Sequence, residues 1–220
     1  MTAWLSNLFA NIFGDNVILA TIIIAMVPII ELRGAIPFAT NSSLWGSVAL
    51  NNWTAFGWSL LGSSLVVPII ALIFIPIINW LKRTKLFGKL AKAIEQRIKN
   101  KAEEIGGADE KSKRFSRAYW KKVLAVFVFV AVPLPLTGVW TGTCVAVFLG
   151  LDYLTTCTTV ITGNVIAGLL ISLILQFFPW LNDWLLWIFL ILVVVFIIIE
   201  IIKHFVKKNK AKKDNTNTEQ

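Results

Sequence analysis

The residues of this chain best placed to do chemistry are two charged side chains at the end of an apolar run. Residues 17–30 form an apolar run of fourteen residues in which Thr21 is the only polar one. Glu31 and Arg33 follow at its end. In a membrane, an ionised group is costly unless it is paired or faces water or protein. The two charges therefore predict either a binding site or a structural bridge, and we favour the site.

The composition is that of an integral membrane protein. The 220 residues are 57% hydrophobic with a mean hydropathy of +0.75, which predicts a single membrane domain, residues 1–220. Of the +9 net charge, residues 82–122 carry fourteen Lys and Arg against five acids, and residues 203–220 carry six Lys against two acids. Basic blocks beside apolar runs are typical of cytoplasmic segments. We therefore expect a cell (inner) membrane location with both blocks in the cytoplasm, and no nucleic-acid partner.

Few residues are suited to metal or redox chemistry. Cys144 and Cys157 lack metal-ligand spacing, and the single histidine, His204, lies in the basic tail. We expect both thiols to be free and buried, and we expect no metal, no cofactor and no enzymatic activity.

The periodicity predicts an all-α fold of crossings, broken segments and surface helices. Amphipathic surface helices are expected at residues 1–13 and 86–98, and a crossing with a small-residue face at 53–81. As a helix, residues 17–30 would be about 21 Å long, short of the hydrocarbon core of about 30 Å. Two interpretations stay open for this segment: it enters the membrane, breaks at residues 31–37 and leaves on the same side, or it crosses once, tilted, as far as Ala39.

The second half of the chain is constrained by counting crossings. If both basic blocks are cytoplasmic, the chain between Lys122 and Lys203 crosses an even number of times, and residues 154–178 and 184–202 supply two crossings. Residues 123–151 must then enter and return on the cytoplasmic side. The prolines and glycines of residues 133–142 would break this hairpin, because proline cannot continue a helical hydrogen-bond ladder.

Each half thus follows one plan of surface helix, broken hairpin and long helix, in opposite orientation. We expect an inverted repeat of re-entrant hairpin plus transmembrane helix, with an additional C-terminal transmembrane helix and the N-terminus outside. The expected parts are a first repeat at 1–81, a basic loop at 82–122, a second hairpin and helix at 123–178, a last crossing at 184–202 and a tail at 203–220.

The motif E-L-R-G-A-I-P at residues 31–37, followed by P-L-P-x-T-G-x-W-T-G at 133–142, resembles the small multidrug export family. That family looks similar to the DedA superfamily of re-entrant membrane proteins, which are associated with moving lipid carriers such as undecaprenyl phosphate. The resemblance implies two facing re-entrant loops and a transport role. The chain departs from the pattern at Leu136, where a glycine is expected, and residues 133–142 lack the arginines that DedA-like proteins often carry there.

The expected site lies between the two loops. Glu31 would titrate, while Arg33 would hold an anionic group or the Glu31 counter-charge. The glycines would let the backbone approach the substrate closely, and the prolines would shape the loops. The threonines would supply hydroxyl groups, and the tryptophan would form an aromatic wall. Besides the two charged residues, the expected site comprises Gly34, Pro37, Pro133, Pro135, Thr137, Gly138, Trp140 and Thr141.

Several functions fit this pattern. The first is a transporter of a small molecule or ion, proton-coupled through Glu31. The second is a flippase or scramblase for a lipid or lipid carrier, with Arg33 on the headgroup. The third is a scaffold that binds partners through residues 82–122. In each case Glu31 and Arg33 could instead tie down loop ends, by pairing with each other or by satisfying freed backbone groups. Membrane lipids are the expected partners, and small-residue faces serve internal packing or a homo-oligomer.

Overall fold

The computed structural model describes residues 9, 11–82, 117–134 and 136–189, together with helical positions 191, 194, 195, 198 and 202. No strand occurs among these residues, so the all-α prediction is confirmed for them. The predicted surface helix at 86–98, most of the one at 1–13, most of the basic loop and the tail lie outside the described residues.

Besides the helical residues 9 and 11–13, eight α-helices carry the described fold, and a 3-10 turn at Gly46–Val48 lies between the third and the fourth. In chain order the α-helices are α1 (Val17–Met26), α2 (Glu31–Thr40), α3 (Ser42–Trp45), α4 (Asn52–Lys82), α5 (Arg117–Ala131), α6 (Val139–Phe148), α7 (Tyr153–Phe177) and α8 (181–189).

Helix α1 is shorter than the apolar run that forms it. The Asn16 side chain accepts a hydrogen bond from the Leu19 amide at 3.0 Å and so caps its start. The helix ends at Met26, because Val27 precedes Pro28 and takes an extended conformation (φ −72°, ψ 130°). The apolar run therefore contains a break at residues 27–30. The prediction of a break at residues 31–37 was wrong, because these residues form the first part of helix α2.

The two long helices run antiparallel and hold the two halves together. The Asn52 Nδ2 donates to the Ser172 carbonyl at 2.7 Å, and the Asn164 Nδ2 donates to Ser63 Oγ at 2.8 Å. As the residue number rises along α4, the number of the partner residue on α7 falls. The two helices therefore run in opposite directions. Among the described residues, Asn52–Ile78 and Tyr153–Phe177 are long and apolar enough to cross a membrane.

The order of elements repeats along the chain. A helix, a break, a ten-residue helix and a long helix occur as α1, α2 and α4, and again as α5, α6 and α7. Within each half these helices pack against one another, and α6 of the second half also packs against α4 of the first. The two breaks, at residues 27–30 and 132–138, lie close together, because Trp140 after the second break donates to the Met26 carbonyl just before the first.

The start of the last helix packs on the first half. The Asn41 Nδ2 donates to Asp183 Oδ1 at 2.8 Å, and Phe189 is buried against α2. The described positions of the predicted crossing at 184–202 are all helical, and the five after 189 are all apolar and exposed. The start of this helix therefore covers α2.

Both thiols are free, as predicted, but the prediction that both are buried was wrong. Cys157 is half-buried and Cys144 is exposed. The reason is that α6 buries the face containing Val139, Gly142 and Ala146, and Cys144 lies on the opposite face.

Candidate functional site

The two breaks meet, and the charged pair lies between them. Residues 27–30 are here called the first break and residues 132–138 the second break. Glu31 is the first residue of α2, directly after the first break, and Arg33 follows within the same turn. Their exposed fractions are 4% and 1%, so both charges lie inside the protein.

The Glu31 carboxylate binds the start of helix α6. The Val139 amide donates to Glu31 Oε2 at 3.0 Å, and the Trp140 amide donates to Oε1 at 3.1 Å. These are the first two amides of α6, and first-turn amides have no acceptor within their own helix. The positive end of a helix dipole also favours a carboxylate. Glu31 therefore caps α6 from the other half of the chain.

The Arg33 guanidinium binds the carboxyl-terminal end of a helix, whereas Glu31 binds an amino-terminal end. Its Nη2 donates to the Val130 carbonyl at 2.6 Å, with the Thr137 carbonyl at 3.2 Å and the Val132 carbonyl at 3.5 Å. Val130 belongs to the last turn of α5, and the amide four residues further on, that of Leu134, donates to the Val132 carbonyl at 2.8 Å and so does not continue the helical ladder. Arg33 thus supplies the Val130 carbonyl with a donor where the helix ends.

The two side chains also contact each other. Arg33 Nη1 donates to Glu31 Oε2 at 3.3 Å. Side chains two positions apart do not face each other in a regular helix. The contact exists because Glu31 has a positive φ of 48°, so its side chain does not follow the helical course of the residues after it.

Backbone strain is concentrated at the breaks. Three described residues other than glycine have positive φ: Ile29 at 78°, Glu31 at 48° and Leu136 at 69°. The left-handed region costs a non-glycine residue about 1–2 kcal/mol. Leu136 is the position at which the family resemblance predicted a glycine, and its φ supplies the physical reason for that preference.

Gly138 makes room for the carboxylate. A Cβ added at this position would lie 1.2 Å from Glu31 Oε2 and 2.2 Å from its Cδ. The backbone of Gly138 itself is extended (φ −84°, ψ −158°), a conformation that any residue can adopt. Glycine is therefore needed here for the close approach of Glu31 and not for its conformational freedom.

Trp140 links the second half back to the first. Its indole Nε1 donates to the Met26 carbonyl at 3.1 Å, and Met26 is the last residue of α1. Three interrupted helix ends are thus satisfied across the interface: the end of α1 by Trp140, the end of α5 by Arg33 and the start of α6 by Glu31.

The two threonines hold the shape of the second break. Thr137 Oγ1 lies 2.8 Å from the Leu134 carbonyl and 2.9 Å from the Val132 carbonyl. Thr141 Oγ1 donates to the Leu136 carbonyl at 2.6 Å. Each hydroxyl donates within its own segment, so these side chains organise the loop around the charges.

The other predicted site residues shape the surroundings. A Cβ on Gly34 would meet Ile30 at 2.5 Å and Phe189 at 3.2 Å, so Gly34 allows α2 to pack closely against the last helix. Pro37 is buried inside α2, and Pro133 is half-buried at the start of the second break. Pro135 lies outside the described residues.

Sequence reasoning missed the partners of the two charges. These partners are mainly main-chain groups, namely the carbonyls of Val130 and Val132 and the amides of Val139 and Trp140. Residue types carry no information about them. The available signal was indirect: a proline-broken helix leaves unpaired amides and carbonyls on either side of the break.

The two charges form a buried ion pair between two helix ends. Within the part of the chain that the structure describes, no group of three or more His, Cys, Asp and Glu could hold a metal ion. The two buried charges offset each other, and each also contacts a helix end of complementary polarity. Removing either charge would leave the other buried without its counter-charge.

Comparison with known proteins gives one family. The sequence model of the family described as "Putative small multi-drug export protein" matches residues 31–170, from the first residue of α2 into α7. No match came from comparison with the curated proteins or with the solved structures. The family and the two long apolar helices indicate a membrane location. The matched region spans most of the chain and includes both charged residues and the second break, so this chain belongs to the small multi-drug export family.

Proposed function

We propose that this chain exports small molecules across the cell membrane and that the two breaks form its substrate site. In this proposal, each broken helix pair is a re-entrant hairpin and the two hairpins have opposite orientation, with the basic blocks in the cytoplasm. The repeated order of elements and the contact between the breaks support this arrangement, which is the plan of many transporters.

One observation carries the proposal: two buried opposite charges join the halves at the point where both helix pairs are interrupted. Glu31 and Arg33 have exposed fractions of 4% and 1%, and apart from each other their hydrogen-bond partners come from the second half. Ionisable groups at membrane depth are rare and mark transport pathways by default. A substrate site that opens alternately to the two sides of the membrane needs a contact between the two halves of the protein that can break and form again.

In this mechanism, Glu31 is the proton-binding group. Protonation removes the negative charge that the start of α6 and Arg33 stabilise, and so weakens the contact between the breaks. Arg33 is the charged group that the structure describes in contact with Glu31. Proton binding on one side and release on the other would then couple the opening of the site to a pH gradient.

The test is transport by purified protein in liposomes. A pH gradient is imposed, and the flux of a small fluorescent cation and of a small fluorescent anion is followed. We expect Glu31→Gln, which preserves the shape of the side chain but has no titrating group, to abolish the pH-driven part of the flux. Asp15→Asn serves as the matched control, because Asp15 is exposed and outside the site.

The same liposomes separate the other functions. If the protein instead exposes labelled lipid headgroups to an external quencher, and Arg33→Ala abolishes that exchange, the protein is a lipid flippase or scramblase. If both activities are indifferent to both substitutions, the charged pair is a structural bridge and the proposed site is wrong.

A further inference from the structure

We propose that the start of helix α6, together with Arg33, is an oxyanion site that Glu31 fills in this state. When Glu31 withdraws, the site takes a carboxylate or phosphate group of the transported substrate. This inference rests on the proposed function and names the chemical class of the substrate.

The donors around Glu31 form a set that does not depend on Glu31. The amides of Val139 and Trp140 and the Arg33 Nη1 lie 3.0, 3.1 and 3.3 Å from the two carboxylate oxygens. Two of the three donors are main-chain groups fixed by helix α6. Convergent amides at a helix start, beside an arginine, bind oxyanions generally.

The site has space for oxygen atoms. Because a Cβ on Gly138 would lie 1.2 Å from Oε2, the space that this oxygen fills exists only because residue 138 is glycine. Withdrawal of the Glu31 side chain would therefore leave a recess with donors on its wall. Another carboxylate, or one face of a phosphate, presents the same pair of oxygens to these donors.

Arg33 adds a charged donor to the amides of the helix start. Its side chain is 1% exposed, and its Nη1 lies 3.3 Å from Glu31 Oε2. Its Nη2 is bound to the Val130 carbonyl at 2.6 Å, which anchors the guanidinium beside the recess whether or not Glu31 is there. Hydrogen bonds from a guanidinium to an oxyanion are charge-assisted and therefore stronger than those from amides alone.

Charge also favours an anion over a cation. If an anion replaces Glu31, Arg33 keeps a negative partner and the start of α6 keeps an acceptor. A cation in the same place would face both Arg33 and the positive end of the helix dipole, and like charges in a low-dielectric interior repel strongly. The recess therefore favours anions over cations.

The test is anion rescue of Glu31→Ala in detergent, measured by thermal unfolding. The probes are formate, inorganic phosphate and the short-chain lipid dihexanoyl phosphatidate, each compared with chloride at equal ionic strength. We expect a saturable rise in Tm of about 3–6 °C at roughly ten times the Kd of the bound probe. Wild-type protein and Glu31→Gln, whose side chains still fill the recess, are expected to shift little. The double variant Glu31→Ala with Arg33→Met is expected to lose the rise.

The outcomes separate the sources of the anion. A rise with phosphatidate at lower concentration than with inorganic phosphate indicates a lipid headgroup, and the reverse order indicates a free oxyanion. No saturable rise with any probe overturns the proposal. Recovery of folded Glu31→Ala only when a probe is present during extraction supports it. If Glu31→Ala stays unfolded with every probe while Glu31→Gln folds, no oxyanion can replace Glu31 and the proposal is wrong.

This experiment is independent of transport. Saturable anion binding by Glu31→Ala combined with no flux in liposomes would retain the oxyanion site and reject the export function. Flux of the cation alone, with no anion rescue, would retain export and reject the oxyanion site.

Discussion

The two breaks contribute different kinds of group to one site. The first break is followed by Glu31 and Arg33, whose side chains carry charge, whereas residues 133–142 contain no charged residue at all. The second break and the helix ends beside it instead offer main-chain groups: two amides at the start of α6, the Val130 carbonyl in the last turn of α5, and the carbonyls of Val132 and Thr137 within the break. Side-chain charge on one half thus matches helix-end polarity on the other, and neither half forms the site alone.

The helices that follow the two breaks differ in how they are covered, although the breaks themselves do not. Val27 and Pro28 of the first break are exposed, as are Leu134 and Leu136 of the second. After the first break, Gly34 of α2 packs against Phe189 of the last helix, and Asn41 donates to Asp183. The last helix therefore holds α2, which carries both charges, in place.

The strongest way to break this complementarity is to remove the cation. Arg33→Met leaves the Glu31 carboxylate buried without its counter-charge and the Val130 carbonyl without its donor. We expect the free energy of unfolding to fall by about 3–5 kcal/mol, as for one partner of a buried ion pair. Denaturant unfolding in detergent measures it. Arg117→Met is the control, because Arg117 is exposed, and an equal loss in both variants would contradict the assigned role.

A smaller effect is expected when the second break is altered without touching a charge. In Gly138→Ala the new Cβ would overlap Glu31 Oε2, so the carboxylate or the loop must move. We expect a loss of about 2–4 kcal/mol, since the cost approaches that of breaking the pair. Gly57→Ala is the matched control: a Cβ there meets nothing within 4 Å, and alanine favours the helix by about 0.5–1 kcal/mol. If thermal unfolding shows both variants unchanged, Glu31 does not lie against Gly138.

The smallest effect concerns strain in the second break. Leu136→Gly relieves a positive φ of 69° at an exposed position and so loses little packing. We expect the free energy of unfolding to rise by about 0.5–1 kcal/mol. This is the cost of the left-handed conformation that is removed, minus the cost of the extra conformational entropy that glycine loses on folding. Leu134→Gly is the control, because Leu134 is also exposed but has no positive φ. We expect its free energy of unfolding to fall by about 0.5–1 kcal/mol. A loss of stability in both variants would show that Leu136 is not strained.

Much of the fold was predictable because its signals are local. The crossings predicted at 53–81 and 154–178 correspond to Asn52–Lys82 and Tyr153–Phe177, since long apolar runs form helices that satisfy their own backbone. The interruption predicted at residues 133–142 is found at 132–138, because proline cannot continue a helix. The first interruption was predicted at residues 31–37 but lies at 27–30, because Val27 before Pro28 takes an extended conformation. The first helix ends at Met26 and not at Ile30, where the apolar run ends, because turn chemistry around Val27 acts over a few residues.

The sequence alone determined which residues carry charge into an apolar chain and where its helices must break, because hydropathy and proline act locally. Only the tertiary structure decided that Glu31 binds the start of α6 and Arg33 the end of α5, about one hundred residues away. The partners there are amides and carbonyls that every residue possesses. Their availability depends on which helix ends the packing brings beside the two charges, and no residue type records that.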